Sequence, residues 1–158
     1  RGVQLLGIII EPEMFRFFKE ALAVRRLVRS YLLHGELLRP LAGLSSEDVG
    51  APCLSDGCLD LRHSVWRRRD VDGGAPGIGN STTILVLLSS VLSRNVSLRL
   101  DLARYGLATV NAYALRQLET DGQSVVRATT TRGALSIEYN WTMRAGAIVP
   151  LEISAVSE

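Results

Sequence analysis

The chain is poor in lysine, histidine and cysteine, and it has no long apolar run. Its longest uncharged apolar stretch, Ile84 to Leu92, is nine residues and includes Ser89 and Ser90. A bilayer-spanning helix needs about 20, so no transmembrane segment is expected within this sequence. No charged-then-apolar presequence of secretory type stands at its start. Net charge is only +2, which argues against a strong electrostatic pull on nucleic acid. Of the basic residues, seventeen are arginine and one is Lys19. Selection for bidentate anion contacts would produce that bias, and so would a GC-rich genome, which is the commoner cause. With two histidines, His34 and His63, and no Gly-x-Ser-x-Gly elbow or His-Glu-x-x-His string, no local catalytic set stands out. The balance leans away from an enzyme, and no cofactor is implied.

What the chain does have is alternation. In Leu135-Ser136-Ile137-Glu138-Tyr139-Asn140-Trp141-Thr142-Met143-Arg144 every odd position is apolar and every even one polar. Strand side chains point to opposite faces with period two, so this segment can bury one wall and wet the other. Val96, Leu98, Leu100 and Leu102 alternate with Ser97, Arg99 and Asp101 in the same way. Asp121-Gly122 is a strong hairpin signal, and Ala145-Gly146 marks another turn. Pro150 cannot donate to a ladder, so the last strand should meet an edge or a bulge there.

Nearer the start, Val3 to Ile10 reads as one short buried strand. Pro12 suits the first turn of a helix. From Met14 to about Leu33, Phe17, Phe18, Ala21, Leu22, Val24, Val28 and Tyr31 form a helical stripe. Gly35 interrupts it, and Pro40 closes any continuation through Glu36 to Leu38. Residues 43 to 58 read as a connection, followed by a strand over Leu59 to Trp66. Thr82 to Leu92 fits either a strand or a helix. The 158 residues, 47% apolar and 22% charged, suit one globular domain. It divides into a strand and helix over 1–42, a loop-rich connection with one strand over 43–81, and an antiparallel meander over 82–158. The expected class is α+β: a long N-terminal amphipathic helix packed on a predominantly antiparallel, meander-type sheet of five or more strands. In that picture Phe15, Phe17 and Phe18 and the rest of the stripe rest on the sheet face of Leu98, Leu100, Leu102, Leu135, Ile137, Tyr139, Trp141 and Met143. Two facing sheets would instead make a sandwich.

Several constellations invite chemistry. Gly74-Ala75-Pro76-Gly77-Ile78-Gly79-Asn80-Ser81 resembles the phosphate-cradling signature of P-loop nucleotide-binding proteins. The candidate anion loop is therefore Gly74, Gly77, Gly79, Asn80 and Ser81. Asn80 stands where the signature has its lysine, and Arg67-Arg68-Arg69 precedes the loop where a buried strand belongs, so a flexible loop is the competing reading. Three of the four asparagines, Asn80, Asn95 and Asn140, open Asn-x-Ser/Thr triplets and are formal glycosylation acceptors. Asn, Ser and Thr also gather in turns and on wet strand faces without any glycan. Cys53 and Cys58 flank an Asp-Gly turn and could close a small disulfide loop in an oxidising compartment; two reduced thiols fit equally. Adding His63 gives a spacing unlike structural zinc sites, and no metal is assigned. Together the triplets and the cysteine pair are what a secretory or lumenal protein would carry.

Two basic groups remain: Arg25, Arg26 and Arg29 on the helix, and Arg67, Arg68 and Arg69 after a strand. They suit a protein interface better than nucleic acid, given the balanced charge. The leading functional expectation is a non-enzymatic interaction or structural domain, a subunit or accessory component of a larger protein assembly whose partners are other protein subunits. The alternative is a small-molecule pocket protein or enzyme of cone or barrel type, its pocket lined by Tyr113, Tyr139, Trp141 and His63. Behind these stand a degenerate P-loop-like nucleotide binder and a viral coat or surface β-sandwich.

Overall fold

The alternating segments form strands, and those strands divide between two antiparallel sheets. The computed structural model describes residues 3–5, 8–10, 12–48, 61–69, 82–90, 92–108 and 110–156. In chain order the elements are β1 (Val3–Leu5), β2 (Ile8–Ile10), α1 (Pro12–Leu27), α2 (Arg29–His34), β3 (Glu36–Leu37), β4 (Gly43–Asp48) and β5 (Leu61–Arg69). They continue with β6 (Thr82–Ser90), β7 (Arg94–Asp101), β8 (Tyr113–Leu118), β9 (Ser124–Thr129), β10 (Ser136–Met143) and β11 (Ala147–Ala155). One sheet has six strands in the order β3-β5-β6-β11-β8-β9, and a second has three, β10-β7-β4. β1 and β2 pair only with each other, so Val3 to Ile10 is a small hairpin and not one strand. The protein mixes helix and strand, its sheets are antiparallel, and the N-terminal helix packs on a sheet. No helix among the described residues is long and apolar enough to cross a membrane.

The two large sheets share the main core. Val96, Leu98, Leu100, Ile137 and Met143 from the three-stranded sheet meet Val65, Ile84, Val86, Leu88, Leu115, Leu151 and Ile153 from the six-stranded one. Each such side chain contributes about 1.5–3 kcal/mol when buried, before entropy is subtracted. The expected contact of this face with the helix is therefore corrected: the face closes on a second sheet. Alternation fixes which wall of a strand is greasy and leaves open which element covers it. Leu135 is also corrected, being 73% exposed just before β10.

α1 and α2 lie on the opposite side of the six-stranded sheet. Val24, Val28 and Tyr31 pack there with Leu85, flanked by Leu32, Trp66, Leu87 and Ile148. This explains the ambiguity over Thr82 to Leu92. In β6 the even positions Ile84, Val86 and Leu88 enter the sandwich, while Leu85 and Leu87 face the helices. A strand covered on both walls loses its alternation and reads as a continuous apolar run.

The expected single helix is broken at Val28, whose φ of −93° and ψ of 13° leave the helical region. Gly35 ends α2 in an extended conformation, its N–H donating to the Tyr31 carbonyl at 2.8 Å. Extended backbone leads the chain straight into β3, so Glu36–Leu37 pairs with β5 where a helical continuation was expected. Residues 43–48, expected as connection, form β4 and pair with β7. A Cβ at Gly43 would overlap the Arg99 carbonyl, so this glycine permits close strand approach and does not end an element. Left-handed glycines, Gly122 at φ 87° and Gly146 at φ 70°, make the β8–β9 and β10–β11 turns. β11 is an interior strand, where an edge or a bulge was expected at Pro150. Pro150 pairs with Leu87 of β6, and the β8 ladder starts one residue later at Leu151. At the proline β11 is thus paired on one side only.

Candidate functional site

Between the first half of α1, the β8–β9 hairpin and the start of β11 lies a cleft of about 770 Å³. Its aromatic wall is Tyr139 and Trp141, whose rings stack with centroids 4.9 Å apart and planes inclined by 13°. Both belong to the inward-facing positions of β10, yet both stay half-buried. The reason is position: β10 ends the order of its sheet, so its aromatics overhang the mouth of the sandwich. The indole N–H of Trp141 is buried and meets no protein acceptor.

Around this wall stand four cations, Arg16, Lys19, Arg127 and Arg144, and two carboxylates, Glu20 and Glu119. The carboxylates are already engaged. Glu20 Oε1 accepts the Ile148 N–H at 3.5 Å, and Glu119 lies 3.9 Å from Arg127 Nη2. Arg127 Nε also donates to Gln117 Oε1 at 3.1 Å. Arg16, Lys19 and Arg144 form no ion pair or side-chain hydrogen bond among the described residues. The cleft thus combines an aromatic wall with an excess of positive charge, four cations against two carboxylates. None of these four cations was singled out from the sequence as a pocket residue. They come from three separate elements and share no motif.

Of the pocket expected from sequence, only Tyr139 and Trp141 are here. Tyr113 is buried, its hydroxyl donating to the Ala108 carbonyl at 3.0 Å. His63 Nε2 accepts the Leu41 N–H at 3.1 Å, and burial lowers its pKa. No protein-family model, curated protein or solved structure matches this chain.

The other sequence candidates scatter. Gly74, Gly77, Gly79, Asn80, Ser81, Cys53 and Cys58 lie outside the described residues. Among the described residues no group of three or more His, Cys, Asp or Glu could hold a metal ion. Arg25, Arg26 and Arg29 are exposed on the helices. Arg67 is tied to Glu36, Nη2 to Oε2 at 2.5 Å. Arg68 Nη1 donates to Ser30 Oγ at 2.8 Å, and its guanidinium lies 4.9 Å above the Tyr31 ring. Arg68 therefore holds α2 to the sheet, while Arg67 ties β5 to its neighbour β3. The side chain of Arg69 lies outside the described residues.

Beneath α2 the Tyr31 hydroxyl donates to Glu152 Oε2 at 2.6 Å. Burial first, and the Glu152 hydrogen bond second, push its pKa well above the ordinary phenol value. This polar set is enclosed by helix and sheet and serves their docking.

Asn95 and Asn140 are both exposed on the outer face of the three-stranded sheet. The register places Asn95 opposite Thr142 and Ser97 opposite Asn140. Each triplet's hydroxyl residue therefore faces the other's asparagine, and Thr142 Oγ1 donates to Asn95 Oδ1 at 2.9 Å. With the two acceptors 45 positions apart, no local pattern announces this pairing.

Proposed function

We propose that this domain is a non-enzymatic interaction module, a subunit or accessory component of a larger protein assembly. It engages its partner through the outward side of α1. The observation that carries this reading is the exposure of Phe15 (41%), Phe18 (50%) and Leu22 (56%). Steps of three and four residues align them on one side of the helix, away from Val24. Large apolar side chains in a row on a surface helix mark interaction sites more often than chance exposure does. Arg25, Arg26 and Arg29 are exposed around and beyond this row. The partner surface this suits is an apolar groove rimmed by carboxylates, which takes a helix through anchors at i, i+3 and i+7. In the same reading the outer face of the three-stranded sheet, with Asn95 and Asn140, stays clear of the partner and is where glycans would sit on a secreted form.

A photo-crosslinking residue in place of Phe18, introduced in the source cells, tests this. The expected result is one discrete protein adduct, with the crosslink mapped to an acidic surface, that disappears on Leu22→Glu. Adducts to lipid, or a diffuse smear unaffected by Leu22→Glu, would overturn it.

A further inference from the structure

We propose that the cleft between α1, the β8–β9 hairpin and β11 binds a small organic anion carrying a flat ring. The ring would lie against the Tyr139–Trp141 wall, and its carboxylate or phosphate among Arg16, Lys19 and Arg144. This goes beyond the partner-docking reading, because it uses the side of α1 turned toward the sheets.

Three observations converge on it. The volume, about 770 Å³, is that of small-ligand sites, which commonly span about 300–1,000 Å³. The aromatic pair is half-buried and held nearly parallel, and flat π-faces of this kind stack on rings of any sequence or substituent pattern. Charge decides the sign of the ligand. Four cations and two carboxylates meet at this one cleft; Glu119 lies beside Arg127, and Arg16, Lys19 and Arg144 outnumber the remaining carboxylate, Glu20. A concave, low-dielectric wall focuses such a field and draws in anions. Arg16 and Arg144 offer planar forks suited to carboxylate or phosphate oxygens, while Lys19 adds a point charge. A neutral sugar would leave these charges unanswered, and a metal ion would be repelled by them.

The chain has two tryptophans, Trp66 and Trp141. Trp66→Phe therefore leaves Trp141 as a fluorescent reporter in the cleft wall. Phenyl phosphate is the probe, with inorganic phosphate and benzyl alcohol as its separated halves. Saturable quenching by phenyl phosphate is expected, with either half weaker by at least about tenfold. Lys19→Gln and Arg144→Gln together should weaken phenyl phosphate by a similar factor, raised salt should do the same, and Leu22→Ser should change nothing. Absence of saturation into the millimolar range overturns the proposal. So does equal binding of inorganic phosphate, equal binding of benzyl alcohol, or indifference to the charge-removing pair. If Trp66→Phe does not fold, the same titration of the unaltered protein, followed by heat and by the two indole N–H resonances, separates the same outcomes.

Discussion

Replacing Tyr31 by phenylalanine removes one oxygen from a side chain that is 2% exposed, and its effect can be worked out in sign and size. The lost group donates to Glu152 Oε2 at 2.6 Å. Hydrogen bonds to a charged acceptor contribute about 1.5–3 kcal/mol net. Arg116 stands across the β11–β8 ladder from Glu152, but its guanidinium donates to Ser154 Oγ, so the carboxylate loses its hydrogen-bond partner. The ring stays under the Arg68 guanidinium, so that contact survives. The expected loss at neutral pH is therefore about 1.5–3 kcal/mol. pH separates this account from simple packing loss. The folded state holds the Tyr31 proton more tightly than the unfolded chain, whose phenols titrate near 10. Above that value the unfolded state binds fewer protons, so stability is fully present below about pH 10 and falls as pH rises, by up to about 1.4 kcal/mol per pH unit for this one group. Tyr31→Phe lacks that group and should show a flatter alkaline limb. Tyr105, also raised by burial, is common to both proteins and cancels in the comparison. Urea unfolding followed by fluorescence at neutral pH and at steps above pH 10 provides the measurement. A variant as stable as the parent at neutral pH, with an unchanged alkaline slope, would contradict this account of the hydroxyl.

Leu98→Ala empties a position buried between the sheets and should cost about 2–5 kcal/mol in urea unfolding, whereas Phe18→Ser on the outer helix face should stay within about 0.5 kcal/mol. Burial lowers the pKa of His63, whose Nε2 accepts the Leu41 N–H. Its folded pKa is lowered, so its contribution is complete above the unfolded value near 6.5 and is lost as pH falls below it. His63→Gln, which can still accept that N–H, should flatten the fall in urea midpoint between about pH 7 and 5.

Local chemistry was legible where one residue decides one conformation. Pro12 opens α1, and the Asp121-Gly122 and Ala145-Gly146 turns fall where the dipeptides stand. Strict alternation in Arg94–Asp101 and Ser136–Met143 named the buried walls, because one-sided strands keep period two. Placement between elements was not legible. β7 and β10 pair with each other across a gap that holds β8 and β9, and no local signal tells a strand which partner to choose. The same limit hid the cleft, whose cations come from α1, β9 and the β10–β11 turn. Glycine misled in one instance: Gly43 read as a breaker, and it is the close-approach residue of a strand.

The middle of the six-stranded sheet is occupied by its latest-made member, β11, with β6 on one flank and β8 on the other. Until residues 147–155 leave the ribosome, β3-β5-β6 and β8-β9 are two separate ribbons with raw hydrogen-bonding margins facing an empty slot. A nascent or prematurely terminated chain therefore offers other molecules a strand-shaped vacancy, and a protein stopped just short of Ala147 should clump rather than fold with reduced stability.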